Sequence, residues 1–444
     1  MRMEEFSKQF PDVHPNIILK TAVLRDGMQI SQEAQQQFLQ MEDVEWKGMH
    51  LFSYDRQRTI VYGERIPKVV YLEPDRVPIQ VRTNIYSPYV LDFKDGQFVL
   101  TEGGEVISQP LSFSRKPKWY DAVLEDGTSC RLVEGICDEL LFITLNKYCE
   151  LWNTGDECLF CNINVTFKDQ KEGGEDVVGR MEPRQIAEAV KVAMELDPCR
   201  HMIEITGGTI LGKYRGEKQL DFYCRRLEAI RDRIQTWLSS MFQVHALDDD
   251  GWKRLHETGI QTIQPNIEVW DKKLFKWINP GKDKFTGYDY WIKQTIRAVD
   301  FWGVGRVNPN FVLGVEMAKP YGFEKVSDAV KSTAGGWDFL MSHGVLPRYN
   351  QWMIEAGSPF EDQEPPPMEY YIEVEKAYAE LRRKHGFDPP YPGALTRTSY
   401  FIACLQDYEY YHGSGIPSKK WQEQALKRGG EKERASEVSA DSRQ

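Results

Sequence analysis

The chain has 444 residues, 41% hydrophobic and 28% charged, with a formal net charge of −11. That is ample for a sizeable core and more than one domain, in the compositional range of a soluble globular protein. The acidic balance argues against a non-specific grip on nucleic acid, which rests on clustered Lys and Arg. No apolar run approaches the roughly 20 residues that span a bilayer. The N-terminus, MRMEEFSKQF, lacks the apolar core of a signal peptide. A cytoplasmic protein is expected, one whose clustered cysteines point to a metal before a disulfide.

Residues 1–138 read as an accessory domain, β-rich or α+β. Short extended runs at Thr59–Tyr62, Val69–Tyr71, Ile79–Thr83 and Gln97–Thr101 are separated by Gly-containing turns. From residue 139 the pattern changes to strand, loop, helix, repeated. Strands are expected at Leu140–Leu145, His201–Thr206, Ser240–Ala246, Thr262–Val269, Arg306–Gly314 and Leu346–Met353. Helices follow at Pro183, at Leu220–Arg233, near Asp250, at Tyr288–Trp302, within Glu324–His343 and at Glu369–His385. Six such units predict an α/β core over residues 139–386, a parallel sheet curled into a partial or complete (βα) barrel. Chemistry in such folds gathers at the carboxyl ends of the strands. Residues 387–416 are expected to pack on the barrel, with Tyr408, Tyr410, Tyr411 and His412 as packing groups. Residues 417–444, nearly free of apolar residues, are expected to be disordered.

The chemical signal lies after the first core strand. Cys149, Cys158 and Cys161 form C-x8-C-x2-C, with Phe160 before the last thiol. Three thiolates on one loop leave a tetrahedral zinc one ligand short, but can hold three irons of a cubane cluster and leave the fourth open. Zinc completed by a fourth ligand from elsewhere, such as His201 or Cys137, is the alternative. Cys130, Cys137, Cys199, Cys224 and Cys404 form no C-x2-C pair and read as small buried hydrophobes. His245 reads as a core histidine, and Asp248-Asp249-Asp250 as the acidic start of a helix.

These residues resemble the radical S-adenosylmethionine (SAM) enzymes, most nearly the biotin-synthase-like branch, over the core but not the N-terminal region. Cys158, Phe160 and Cys161 match the end of that superfamily's C-x3-C-x2-C signature. The first gap departs from it, with eight residues in place of three. Gly207-Gly208-Thr209 resembles the Gly-Gly-Glu turn that holds the methionyl amino group, with Thr209 in place of the acid. Gly314 and Glu316 resemble the G-x-x-E ending of the fifth strand, and Glu268 stands where relatives contact the ribose. Glu355 and Ala356-Gly357-Ser358 fall where relatives shape the adenine and substrate side.

The resemblance implies an oxygen-sensitive enzyme with a [4Fe–4S] cluster on Cys149, Cys158 and Cys161. SAM would lie on Gly207, Gly208, Thr209, Glu268, Gly314 and Glu316. It further implies a flavodoxin- or ferredoxin-type electron donor and a radical that takes hydrogen from a small molecule. No D-x-H-x-x-G pattern of cobalamin-binding domains is present, and no second cysteine cluster suggests sulfur insertion. The competing class is a non-catalytic metal-binding scaffold that acts through protein contacts.

Overall fold

The computed structural model describes residues 2–46, 65–137, 140–172, 177–198, 202–235 and 239–387. The run Thr59–Tyr62, His201, Cys199, Cys404 and everything from residue 388 onward lie outside them. Strands β1 (Leu140–Asn146), β2 (Met202–Gly207), β3 (Ser239–Val244) and β4 (Thr262–Pro265) pair in that order, all parallel. Parallel bridges Ile263↔Val307 and Glu268↔Phe311 carry the order on to β5 (Asn310–Leu313), which pairs in parallel with β6 (Arg348–Gln351). A short antiparallel strand, Glu134–Ile136, closes the other edge on β1.

Helices make the crossovers between these strands. α2 (Ile163–Glu172) and α3 (Pro183–Leu196) join β1 to β2, α4 (Gln219–Ile234) joins β2 to β3, and α5 (Asp249–His256) joins β3 to β4. α6 (Tyr288–Arg297) and α7 (Val326–Ser342) precede β5 and β6, and α8 (Met368–His385) ends the described chain. Pro183 opens α3, where its missing N–H costs nothing. Asp248 caps α5 by accepting from the Gly251 amide at 2.8 Å, so the acidic triplet is a helix start. Strands four and five are shorter than their apolar runs predict. Pro265 ends β4, and Pro309 immediately precedes β5.

The strands alternate. Leu141, Ile143, Ile203, Ile205, Phe242, Ile263, Phe311 and Leu313 face the helices in one large apolar core. Their neighbours on the other face include Glu204, Thr206, Gln243, Gln264, Asn310 and Arg348, which line a cavity of about 1030 Å³. A strand buried on both faces usually reads as a continuous apolar run. Polar residues at every second position therefore mark an inner face built to hold something.

The N-terminal region is mixed α and β, with helices at Arg2–Gln9, α1 (Pro15–Asp26) and Gln32–Phe38 among its short strands. Every residue from Ile17 to Leu24 of α1 is buried. The periodic-strand reading of this region overlooked that helix, because a helix buried all round shows no amphipathic period. One core joins Ile17, Ile18, Val23 and Leu24 to Met353, Met368 and Ile372 of the sixth unit. Hydrogen bonds bind the same seam, from Arg25 Nε to Pro366 O (2.7 Å) and from Arg82 Nη2 to Ile354 O (2.8 Å).

Candidate functional site

β1 delivers the chain to the cysteine loop at the carboxyl edge of the sheet. The long first gap holds a single 3-10 turn, Glu150–Asn153, between Cys149 and Cys158. Its first end is tied down by Asn164, in the first turn of α2 and three residues past Cys161. The Asn164 side chain accepts from the Cys149 amide (2.7 Å) and donates to the Cys149 carbonyl (3.0 Å). A lengthened gap can thus return its first thiol to the other two. Cys149, Cys158 and Cys161 all line the cavity. Burial pushes the Cys158 thiol up to about 12, despite the opposing field of Lys282, and the Cys161 thiol well above its usual range. Without a metal these thiols hold their protons, so any metal they took up would release them.

The turn after β2 packs directly on this loop. A Cβ at Gly208 would stand 2.8 Å from the backbone N and Cα of Cys149, and one at Gly207 would stand 2.4 Å from the Tyr223 hydroxyl. The glycine pair is therefore what allows the turn to approach the thiols. The Gly208 carbonyl accepts from Asn146 Nδ2 (2.8 Å) and Tyr223 OH (2.6 Å), and Thr209 O accepts from the Glu150 amide (2.8 Å). Glu150 completes the clasp, taking Arg180 Nη2 (2.7 Å) and the Leu211 amide (2.7 Å). Burial opposes its ionisation, but the Arg180 guanidinium and the Leu211 and Gly212 amides outweigh that and hold its carboxyl below the usual range. Gly208→Ala should cost about 1–3 kcal/mol, since backbone must move to admit the methyl. The measurable result is reduced iron retention after reconstitution, with the far-UV spectrum unchanged.

Glu268 also reaches the cavity, in an unusual backbone state. Its φ is +69°, a left-handed conformation that a non-glycine residue keeps only when its surroundings demand it. Lys282 donates to its Oε1 at 2.7 Å and to Asn266 O at 2.8 Å, so the carboxylate is paired and buried beside the thiols. His245, at the end of β3, lines the same wall. Gln219 is oriented by the Ile210 amide on its Oε1 and turns its Nε2 to His245 Nδ1. That leaves the imidazole proton on Nε2. Burial, aided by Lys282, lowers the His245 pKa to about 4. The unfolded chain therefore binds the extra proton between pH 6.5 and about 4, and folding stability should fall as pH drops through that window. His245→Gln should flatten that part of a urea-midpoint profile.

Not every expected residue is brought in. Gly314 and Glu316 do not line the cavity. Gly314 adopts φ +104°, with Pro366 and Tyr371 where a Cβ would go. Glu316 is 2% exposed and accepts from the Gly314 amide (2.8 Å), Thr333 Oγ1 (2.6 Å) and the Tyr370 hydroxyl. The Gly314-Val315-Glu316 turn after the fifth strand is thus a buried brace between that strand, α7 and α8. Glu355 does line the cavity. Sequence reading missed Asn164, Lys282 and the polar inner face. The period-2 placement of Glu204, Thr206, Gln243 and Asn310 was the available signal.

The donor set is three thiols along one cavity wall. Among the described residues no three His, Cys, Asp or Glu side chains are gathered as one metal ion requires. Cys137, one fourth ligand considered for zinc, is buried and outside the cavity lining. Among the described residues no helix is long and apolar enough to cross a membrane.

Comparison with known proteins places the chain beside bacteriochlorophyllide c C-7(1)-hydroxylase of Chlorobaculum limnaeum. The two are 24% identical over 287 residues, 61% of this chain and 67% of the relative. Among solved structures, methylornithine synthase aligns with a TM-score of 0.41 at 15% identity, over 56% of this chain and 64% of that one. The maturase HydG of the [FeFe]-hydrogenase aligns with a TM-score of 0.39 at 14% identity, over 55% and 49%. The chain thus spans under two thirds of either solved structure. No protein-family model matches it.

Proposed function

We propose that this chain, a radical SAM enzyme, uses a [4Fe–4S] cluster and SAM to take a hydrogen atom from a small molecule held on the polar inner face of its sheet. When bound, cluster and SAM together supply a one-electron cleavage that yields the 5′-deoxyadenosyl radical. Cys149, Cys158 and Cys161 would hold the cluster. Gly207, Gly208 and Thr209 would set the methionyl end of SAM beside it, and Glu268 would face the ribose. Asn164 and Glu150 hold the loop in register, and Lys282 aims Glu268 through its hydrogen bond to Oε1. The observation that carries the reading is the meeting of three thiols, the glycine turn and a strained buried carboxylate on one enclosed wall.

The sheet reads as a partial (βα) barrel. Support comes from Arg348 of β6, which reaches to 3.9 Å from Glu204 of β2 although β3, β4 and β5 intervene in the strand order. That contact needs the sheet to curl. Gln80 and Ile136 of the N-terminal region line the same cavity, so residues 1–138 would close its mouth and exclude water. A flavodoxin or ferredoxin would bring the electron.

The test is anaerobic reconstitution followed by dithionite and SAM. Brown protein absorbing near ~400 nm, bleached on reduction, with 5′-deoxyadenosine accumulating, is the expected result. Colourless protein that keeps one tightly held zinc and leaves SAM intact would overturn it.

A further inference from the structure

Among the described residues, the inner face holds one cation that the cluster reading does not use. Arg348 opens β6, is 6% exposed and lines the cavity. Among the described residues its Nε has no hydrogen-bond partner, and the atom at hydrogen-bond distance from its Nη1 is the thioether sulfur of Met241, at 2.8 Å. Thioether sulfur is a weak acceptor. Glu204 gives partial charge balance, but its Oε2 stands 3.9 Å away and its Oε1 is taken by Gln243 Nε2 at 3.0 Å. A buried guanidinium whose Nε–H is unmet and whose Nη1 finds only a thioether is costly unless an oxyanion comes to it.

Resting on the reading above, we propose that the substrate carries a carboxylate and that Arg348 is its seat. The planar fork of arginine matches a carboxylate with two parallel hydrogen bonds. A phosphate dianion fits poorly, since Glu204 stands beside the single available cation. Lys282, the other cation on the cavity wall, is bound to Glu268 and Asn266.

Depth separates this seat from the cofactor's own carboxylate. Glu204 precedes Gly207 by three residues along β2, which at about 3.3 Å per residue puts the Arg348 pair about 10 Å below the glycine turn. The methionyl end of SAM belongs at that turn, beside the thiols. An acid held by Arg348 lies beyond it, with its carbon skeleton pointing up toward the adenosyl group. Glu204 acts here as a positioning residue, holding the guanidinium without quenching its donors.

The experiment measures binding without turnover, on reconstituted protein with SAM and no reductant. The probes are monocarboxylates of increasing size, from propionate to indole-acetate, each paired with its primary amide and its phosphonate, read by ligand-observed NMR. At least one acid should bind about tenfold more tightly than its amide and its phosphonate. Arg348→Gln should erase that preference, and Arg348→Lys should keep part of it. Glu204→Gln should tighten acid binding severalfold by removing the competing charge, an effect that a merely structural ion pair would not produce. Iron content and far-UV spectra verify that the variants fold. The proposal is overturned if no acid binds at millimolar concentration, if amides or phosphonates match the acids, or if folded Arg348→Gln binds acids as the parent does. Dithionite-driven 5′-deoxyadenosine formation in Arg348→Gln separates the two readings. If it persists while acid selectivity is absent from the parent, the seat is wrong and the cluster stands.

Discussion

Cys158→Ala should yield colourless protein after anaerobic reconstitution and lower 5′-deoxyadenosine formation by three orders of magnitude or more. The size of the effect follows from chemistry that belongs wholly to the cofactor; the protein's part is to hold it. Cys158 and Cys161 are close along the chain, joined by a turn in which the Cys161 amide donates to the Cys158 carbonyl at 3.0 Å. On the proposed ligand set, losing either leaves two thiols for three irons. Cys149→Ala should match them, since Asn164 brings Cys149 back across the long gap. Cys224, buried in the apolar core near the Arg254 carbonyl, is the control, and Cys224→Ala should keep its full iron and sulfide. Iron and sulfide assays, the absorbance near ~400 nm and mass spectrometry of the nucleoside give the answer. Full activity in Cys149→Ala would remove that residue from the ligand set.

The second large effect is on folding. Glu316→Ala should lower stability by about 3–5 kcal/mol, read as an earlier urea midpoint, because it strands three buried donors at once. Glu316→Gln is the sharper variant. Both Thr333 and Tyr370 donate to Oε1, while the Gly314 amide donates to Oε2. An amide oxygen can serve the first pair, but its NH2 then meets the Gly314 N–H, at a cost of about 1–3 kcal/mol. Burial is the main reason that the Glu316 carboxyl titrates above its usual range, against the pull of Thr333 and Tyr370. A raised folded pKa means that its contribution is present in acid and is lost as pH rises through that value. The gap between parent and Glu316→Gln should therefore be widest in acid and narrow toward neutrality. SAM binding by folded Glu316→Gln should match the parent. A variant of unchanged stability that binds SAM weakly would return Glu316 to the cofactor pocket.

The core was readable because six apolar runs, each followed by a helical period, have few arrangements open to them. The thiols were readable because their spacing carries chemistry. Three other features were not legible, for different reasons. Glu316 sits in a motif, yet whether a carboxylate faces a cofactor or three internal donors is decided by α7 and α8, which arrive later in the chain. Asn164 looks like any polar residue at a helix start until the loop closes on it. Arg348 and Glu204 are 144 positions apart, and only the curl of the sheet makes them neighbours.

The apolar seam between α1 and α8 has a consequence for synthesis. The helix made among the first thirty residues finds part of its cover in Met353, Met368 and Ile372, made more than three hundred residues later. Loop closure over such a span is slow, and until it occurs the early helix is a sticky, unfinished surface. A chain halted before residue 368 should recruit chaperones or precipitate, while the full-length product closes on its own beginning. The seam therefore forms only after residue 372 has been made, and the early helix waits for most of the polypeptide before this part of its face is covered.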